Sequence, residues 1–145
     1  MDSTTLDSFK EKLLEAAWQA EGRAYAPYSH FQVGSAILTD GKIFSGCNVE
    51  NASYGLTVCA ERNAIANATV AGCLRPGSVD AVLVAVKTDN PTFPCGACRQ
   101  VLYEFCHENT IVFISTRPGS IHSLKKMHDL LPLAFGPKDL SDFNG

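Results

Sequence analysis

The chain has 145 residues, 46% hydrophobic and 19% charged, with a net charge of −3. That is a single domain, residues 1–145, of the composition of a compact soluble protein, long enough to bury a core without disulfide staples. No apolar run approaches the roughly 18 residues of a membrane span, and the acidic balance argues against a nucleic-acid partner.

The opening stretch MDSTTLDSFKEKLLEA carries acids early and lacks the apolar centre of a secretory signal, so the expected location is the reducing cytoplasm. Residues 5–24 are predicted to form one amphipathic helix. Leu6, Phe9, Leu13, Leu14, Ala17 and Trp18 recur at helical spacing, and Ser3, Thr4 or Thr5 can cap it. AYAPYSHF follows as a proline-broken loop. FQVGSAILT alternates as a strand, Asp40-Gly41 is a hairpin turn signal, and KIFSGCNV is the antiparallel partner. ENASYGLT reads as a loop. A helix is expected from Cys59 to about Ala71, with Ala60, Ala64 and Ala68 on one face and Gly72 closing it. VDAVLVAV is the apolar run of a strand covered on both faces. PCGACRQVLYEFCHE reads as a second helix entered through proline, and TIVFIS as a further strand. The few residues of TRPGS cannot hold a crossover helix, so IHSLKK should pair antiparallel with TIVFIS in a C-terminal β-hairpin. MHDLLPLAFGP adds a short helix and a proline-bounded tail. The expected fold class is α/β, a three-layer α-β-α sandwich: a mixed sheet of about five strands with helices on both faces.

The six cysteines are 47, 59, 73, 95, 98 and 106. Cys95 and Cys98 form a Cys-x-x-Cys pair at the mouth of one predicted helix, and Cys59 stands at the mouth of the other. Residues three apart share a helix face. Helix N-termini carry partial positive charge and lower thiol pKa values, which favours the metal-binding thiolate. Two such helices side by side would converge three thiolates on one point. Three protein ligands suit zinc and leave a fourth position open for water, whose pKa zinc brings to about 7. Glu61 is near enough to carry protons without binding metal. Arg62 lies three residues after Cys59 and can offset the excess negative charge of three thiolates on zinc as an outer partner of the sulfurs. Arg99, beside Cys98, is a second candidate for that role. A redox Cys-x-x-Cys pair is the rival reading, but it leaves Cys59, Glu61 and Arg62 without a purpose. A closed structural zinc site would need a fourth ligand. Cys73 and Cys106 fall at the far ends of their helices, about 20 Å from the starts, and read as core; Cys47 stays open.

These motifs, with YSHFQVGSAI, NVENASYGLTVCAER, PCGACRQ and LLPLAFGP, resemble the zinc-dependent cytidine deaminases, the small nucleoside-specific branch of the deaminase superfamily. The likeness runs from about Tyr25 to Leu140. A cysteine rather than a histidine at position 59 is similar to the free-nucleoside branch. The resemblance implies hydrolytic deamination of cytidine and 2′-deoxycytidine in pyrimidine salvage. It implies one zinc per subunit on Cys59, Cys95 and Cys98, with Glu61 as the acid/base group. Asn48 and Glu50 would bind the ribose 3′-hydroxyl, Phe31 would pack against the pyrimidine, and the Ala60 backbone would help hold the base. Tyr54 and Phe135 would reach into a neighbouring subunit's site in a homotetramer with shared active sites. The implied partner is a small nucleoside, with neither nucleic acid nor membrane. His30 reads as a structural loop residue.

Overall fold

The computed structural model describes residues 1–141. Its first segment departs from one continuous helix. A short α1 (Ser3–Asp7) precedes α2 (Lys10–Glu21). The break comes at Ser8, whose hydroxyl donates to the Thr5 carbonyl at 2.6 Å. A side-chain bond of this kind competes with the helical ladder.

Strands β1 (Val33–Thr39) and β2 (Lys42–Cys47) form the expected hairpin around Asp40 and Gly41, both with positive φ. The following loop holds one 3₁₀ turn, Tyr54–Leu56, before α3 (Ala60–Val70). β3 (Val79–Val86) is the centre of the sheet, and α4 (Gly96–Phe105) carries the chain to β4 (Cys106–Ser115), parallel to β3. The expected second helix thus stops earlier than its sequence pattern suggested. Cys106 pairs with Val79 across the sheet, so the CHE segment belongs to β4. After a turn at Gly119 (φ 80°), β5 (Ser123–Lys126) pairs antiparallel with β4, and α5 (Met127–Leu130) follows.

The sheet has five strands in the order β2-β1-β3-β4-β5. Alternate residues of each strand face opposite sides. Ala36, Leu38, Ala81, Leu83, Ala85 and Phe113 pack with Leu13 and Ala17 of α2 on one face. Ile37, Val82, Val84, Val112 and Ile114 pack on the other with Ala64, Ile65 and Ala68 of α3, Leu102 of α4 and Met127 of α5. This is the three-layer sandwich with its C-terminal hairpin.

One topological fact positions the site. Gly34 of β1 lies opposite Cys47 of β2 on one side and Ala85 of β3 on the other. β2 and β3 therefore end at the same level, and the chain leaves both at the same edge of the molecule. The helices that follow both start there. Ligand clefts of open α/β sheets form at such strand ends.

Candidate active site

Cys59 is the N-cap of α3, and Cys95 is the N-cap of α4 with Cys98 in its first turn. Neither N-cap cysteine satisfies its helix through a side-chain hydrogen bond. Both thiols are turned to another purpose, which explains cysteines where serine or aspartate would normally stand. The Sγ atoms of Cys59, Cys95 and Cys98 lie within 4.8 Å of one another, and Cys59 Sγ is 4.0 Å from Cys95 Sγ. Zinc–sulfur bonds of about 2.3 Å in tetrahedral geometry put sulfurs about 3.8 Å apart, so the trio fits zinc with little adjustment. Cys47 is not part of this group, and Cys73 and Cys106 are buried in the core. A closed four-thiol site is therefore not what the fold assembles.

The trio shares its protons unequally. The Cys59 thiol is lowered to about 5, first by a hydrogen bond from Cys98 and then by Arg62. The Cys98 thiol is pushed up because it donates to Cys59 and is buried beside Glu61. Arg62 Nη2 is 3.4 Å from Cys59 Sγ, and its buried Nε has no protein acceptor. Its positive charge is thus directed at the sulfurs. Arg99 does not share that role. Its Nε donates to the Pro94 carbonyl at 2.7 Å and its Nη1 to the Leu130 carbonyl at 2.9 Å, so it ties the PCGAC loop to α5.

Glu61 is 4% exposed, and burial raises its carboxyl pKa above the usual range. It lines a cleft of about 300 Å³ together with Cys59, Cys95, Phe31, Asn48 and Glu50. The fold thus gathers six of the sequence-predicted residues around one small-molecule-sized space. Arg62 lies behind the sulfurs, and Ala60 is fully buried at the first position of α3.

Asn48 and Glu50 also shape the cleft rim. Asn48 Oδ1 accepts from Val33 N at 2.8 Å and its Nδ2 donates to the Phe31 carbonyl at 2.7 Å. Glu50 Oε1 accepts from the amides of Tyr28 and Ser29 at 3.0 and 3.1 Å, and its Oε2 accepts from the Ser29 hydroxyl. Ser29 Oγ accepts in turn from Phe31 N at 3.0 Å. These bonds hold the loop through the left-handed turn at His30 (φ 59°) and present Phe31, half of whose surface stays open, to the cleft. His30 holds the turn of this loop and is not among the residues that line the cleft.

Tyr54 and Phe135 stand apart. Neither lines the cleft of its own chain, and they are 74% and 58% exposed. Tyr54 packs against Tyr28 at 5.6 Å between ring centroids, and the Phe135 carbonyl accepts from Gln100 Nε2. The cleft also has walls that sequence reasoning missed: Val33, Val84 and Val86 from the sheet, and Thr57 and Phe93 from the loops. A signal for the last two existed, since each sits two residues before an N-cap cysteine.

Two helix starts that present three thiols beside a buried carboxyl, at the strand ends of an α-β-α sandwich, define a metal-binding enzyme. The chain belongs to the family described as the cytidine and deoxycytidylate deaminase zinc-binding region, whose sequence model matches residues 7–114. The cytidine deaminase of Halalkalibacterium halodurans is 45% identical over 134 residues, spanning 92% of this chain and 98% of that protein. The crystal structure of cytidine deaminase from Burkholderia pseudomallei aligns with a TM-score of 0.80 at 50% identity, over 87% of this chain and 98% of that one. That of cytidine deaminase from Mycobacterium tuberculosis aligns at 0.72 and 40% identity, over 86% and 95%.

Proposed function

We propose that the cleft hydrolyses cytidine and 2′-deoxycytidine to uridine and 2′-deoxyuridine, releasing ammonia, within pyrimidine salvage. The observation that carries this reading is the buried Glu61 carboxyl in the same cleft as the thiol trio. The choice of a nucleoside over a nucleotide rests on the lining. Among the described residues no Lys, Arg or His borders the cleft, and Glu50 does. A 5′-phosphate would add charge to a cleft that already holds a carboxylate and has no cation among its described lining residues.

Cys59, Cys95 and Cys98 would hold one zinc per subunit. Zinc bound there supplies a Lewis acid and lowers the pKa of water. The remaining work falls to this chain's side chains. Glu61 accepts the proton of the attacking water. It passes that proton to ring N3, then takes the second from the new C4 hydroxyl and delivers it to the departing amino group. One water is consumed, the C4–N bond breaks, and ammonia leaves. Phe31 packs on the pyrimidine, and the first amide of α3, at Ala60, holds the base. Asn48 has one amide hydrogen and one lone pair beyond its loop bonds, and Glu50 retains acceptor capacity, so both can take the ribose 3′-hydroxyl.

The same reading gives Tyr54 and Phe135 a role in a neighbouring subunit's cleft, within a cytoplasmic homotetramer. What supports it is the exposure of the two aromatic side chains themselves, neither of which lines the cleft of its own chain, beside the exposed Leu56 and Leu133. Among the described residues no helix is long and apolar enough to cross a membrane.

The test is ultraviolet absorbance of cytidine, deoxycytidine and deoxycytidylate incubated with purified protein, with zinc assayed on the same sample. Loss of cytidine absorbance with about one zinc per chain supports the proposal. Turnover of deoxycytidylate alone would overturn the nucleoside assignment.

A further inference from the structure

We propose that Gly46 is a positioning residue that sets the seat of the first turn of α3, and through it the place of Cys59 and Glu61 in the cleft. The inference rests on the metal-and-carboxylate reading of the site. A Cβ added at Gly46 would lie 2.4 Å from the Ala64 amide nitrogen, 2.6 Å from the Ala60 carbonyl oxygen and 2.8 Å from the carbonyl carbon of Asn63. All three are backbone atoms of one helical turn, so no side chain can rotate away to relieve the clash. Ala60 is flanked by Cys59 and Glu61. Displacement of this turn therefore moves a metal ligand and the proton carrier together, away from Cys95 and Cys98 on the separate helix α4.

The neighbouring residues of β2 hold the helix down on that seat. Asn63 Nδ2 donates to the Cys47 carbonyl at 2.8 Å, and Asn67 Nδ2 donates to the Ser45 carbonyl at 2.7 Å. The two asparagines are four apart and so lie on one face of α3. The residues they grip flank Gly46 on either side. The same strand runs on into Asn48 and Glu50, so β2 fixes the helix bearing Cys59 and Glu61 and the loop bearing Phe31 from a single element.

The molecule contains its own control. A Cβ at Gly34 would meet the Ala17 carbonyl oxygen at 1.9 Å and the Glu21 amide nitrogen at 2.5 Å. That clash is at least as severe, but it presses on α2, on the opposite face of the sheet from the thiols. A purely structural account predicts the same consequences for both glycines.

The experiment compares Gly46→Ala with Gly34→Ala. Melting temperature, zinc retention against a competing chelator, and kcat and KM for cytidine are all measured per folded molecule. Gly46→Ala is expected to lose zinc affinity by about 10–100-fold, as when an outer support of a metal ligand is removed. Its kcat should fall by about 10²-fold, the cost of an ångström-scale misplacement. Gly34→Ala should lower the melting temperature while its folded fraction keeps zinc affinity and kcat. Equal losses in both variants, or none in Gly46→Ala, would overturn the proposal. If Gly46→Ala does not fold, Asn63→Ala and Asn67→Ala carry the test. Weaker zinc retention in Asn63→Ala than in Asn67→Ala, which lies a turn farther from Cys59, supports the proposal, and equal retention overturns it. Zinc retention is read without turnover, so a wild-type protein inactive on cytidine would sink the substrate assignment and leave this inference standing or falling by itself.

Discussion

The two ends of the α3 and α4 pair place the same side chain in contrasting surroundings. At the N-terminal ends Cys59, Cys95 and Cys98 converge, and the Cys59 thiol is lowered to about 5. At the C-terminal ends stand Cys73, just past α3, and Cys106, which closes α4. Burial pushes the Cys106 thiol up to about 12, and Cys73 Sγ donates to the Ala71 carbonyl at 3.6 Å. Only about 15 Å of helix separates the two sets. Between Cys59 and Cys106 the difference comes from the Cys98 hydrogen bond and the Arg62 guanidinium at one end, and from burial in apolar surroundings at the other.

The comparison breaks most completely at the trio. Cys98→Ala should leave the folded protein without stoichiometric zinc and reduce turnover to background, read by metal analysis and cytidine absorbance. Next in size, Glu61→Gln should lower kcat by about 10²–10⁴-fold with zinc content unchanged. Near-normal turnover in that variant would remove Glu61 from the mechanism. A pH series sharpens the contrast in chelator-stripped protein. Because the folded Cys59 thiol sits below its usual value, its stabilising effect is present above the ordinary thiol pKa and fades as pH falls through about 5. Glu61 has the opposite sign. Its raised carboxyl favours the fold below the ordinary carboxylate pKa and disfavours it as pH rises through the folded value. Urea unfolding of the stripped protein should therefore show Cys59→Ser losing stability relative to wild type toward alkaline pH, while Glu61→Gln gains. The smallest effect belongs to the other helix ends. Cys106→Ala should cost about 1 kcal/mol of stability and leave zinc and kcat alone.

Much of this was readable before any coordinates. The thiol trio was legible because Cys59 and Cys95 stand just before two predicted helices and Cys98 lies three residues on from Cys95, on the same face. Arg62 was legible through the three-residue spacing that puts it on the Cys59 face. Arg99 was misread because sequence adjacency to Cys98 says nothing of direction; its guanidinium turns to the Pro94 and Leu130 carbonyls. The break at Ser8 was hidden because Leu6 and Phe9 keep helical spacing across it, while the competing bond is a local hydroxyl contact. The end of α4 was hidden because pairing of Cys106 with Val79 outweighs helix propensity. Val84 and Val86 lacked any signal of their own, since an apolar run reads as core whether or not its last residues border a cleft.

The strand order has a consequence for how copies of this chain can meet. It leaves β2 and β5 as the two edges, and an edge strand offers unpaired backbone groups on which foreign strands can template aggregation. Asn48 N donates to the Val33 carbonyl, so the alternate positions Ser45 and Cys47 turn their carbonyls outward, where Asn67 and Asn63 already occupy them. The other edge is four residues long and ends in the exposed Lys125 and Lys126. Side-chain amides occupy two outward carbonyls of one edge and charge guards the other, and both features disfavour the addition of a foreign strand.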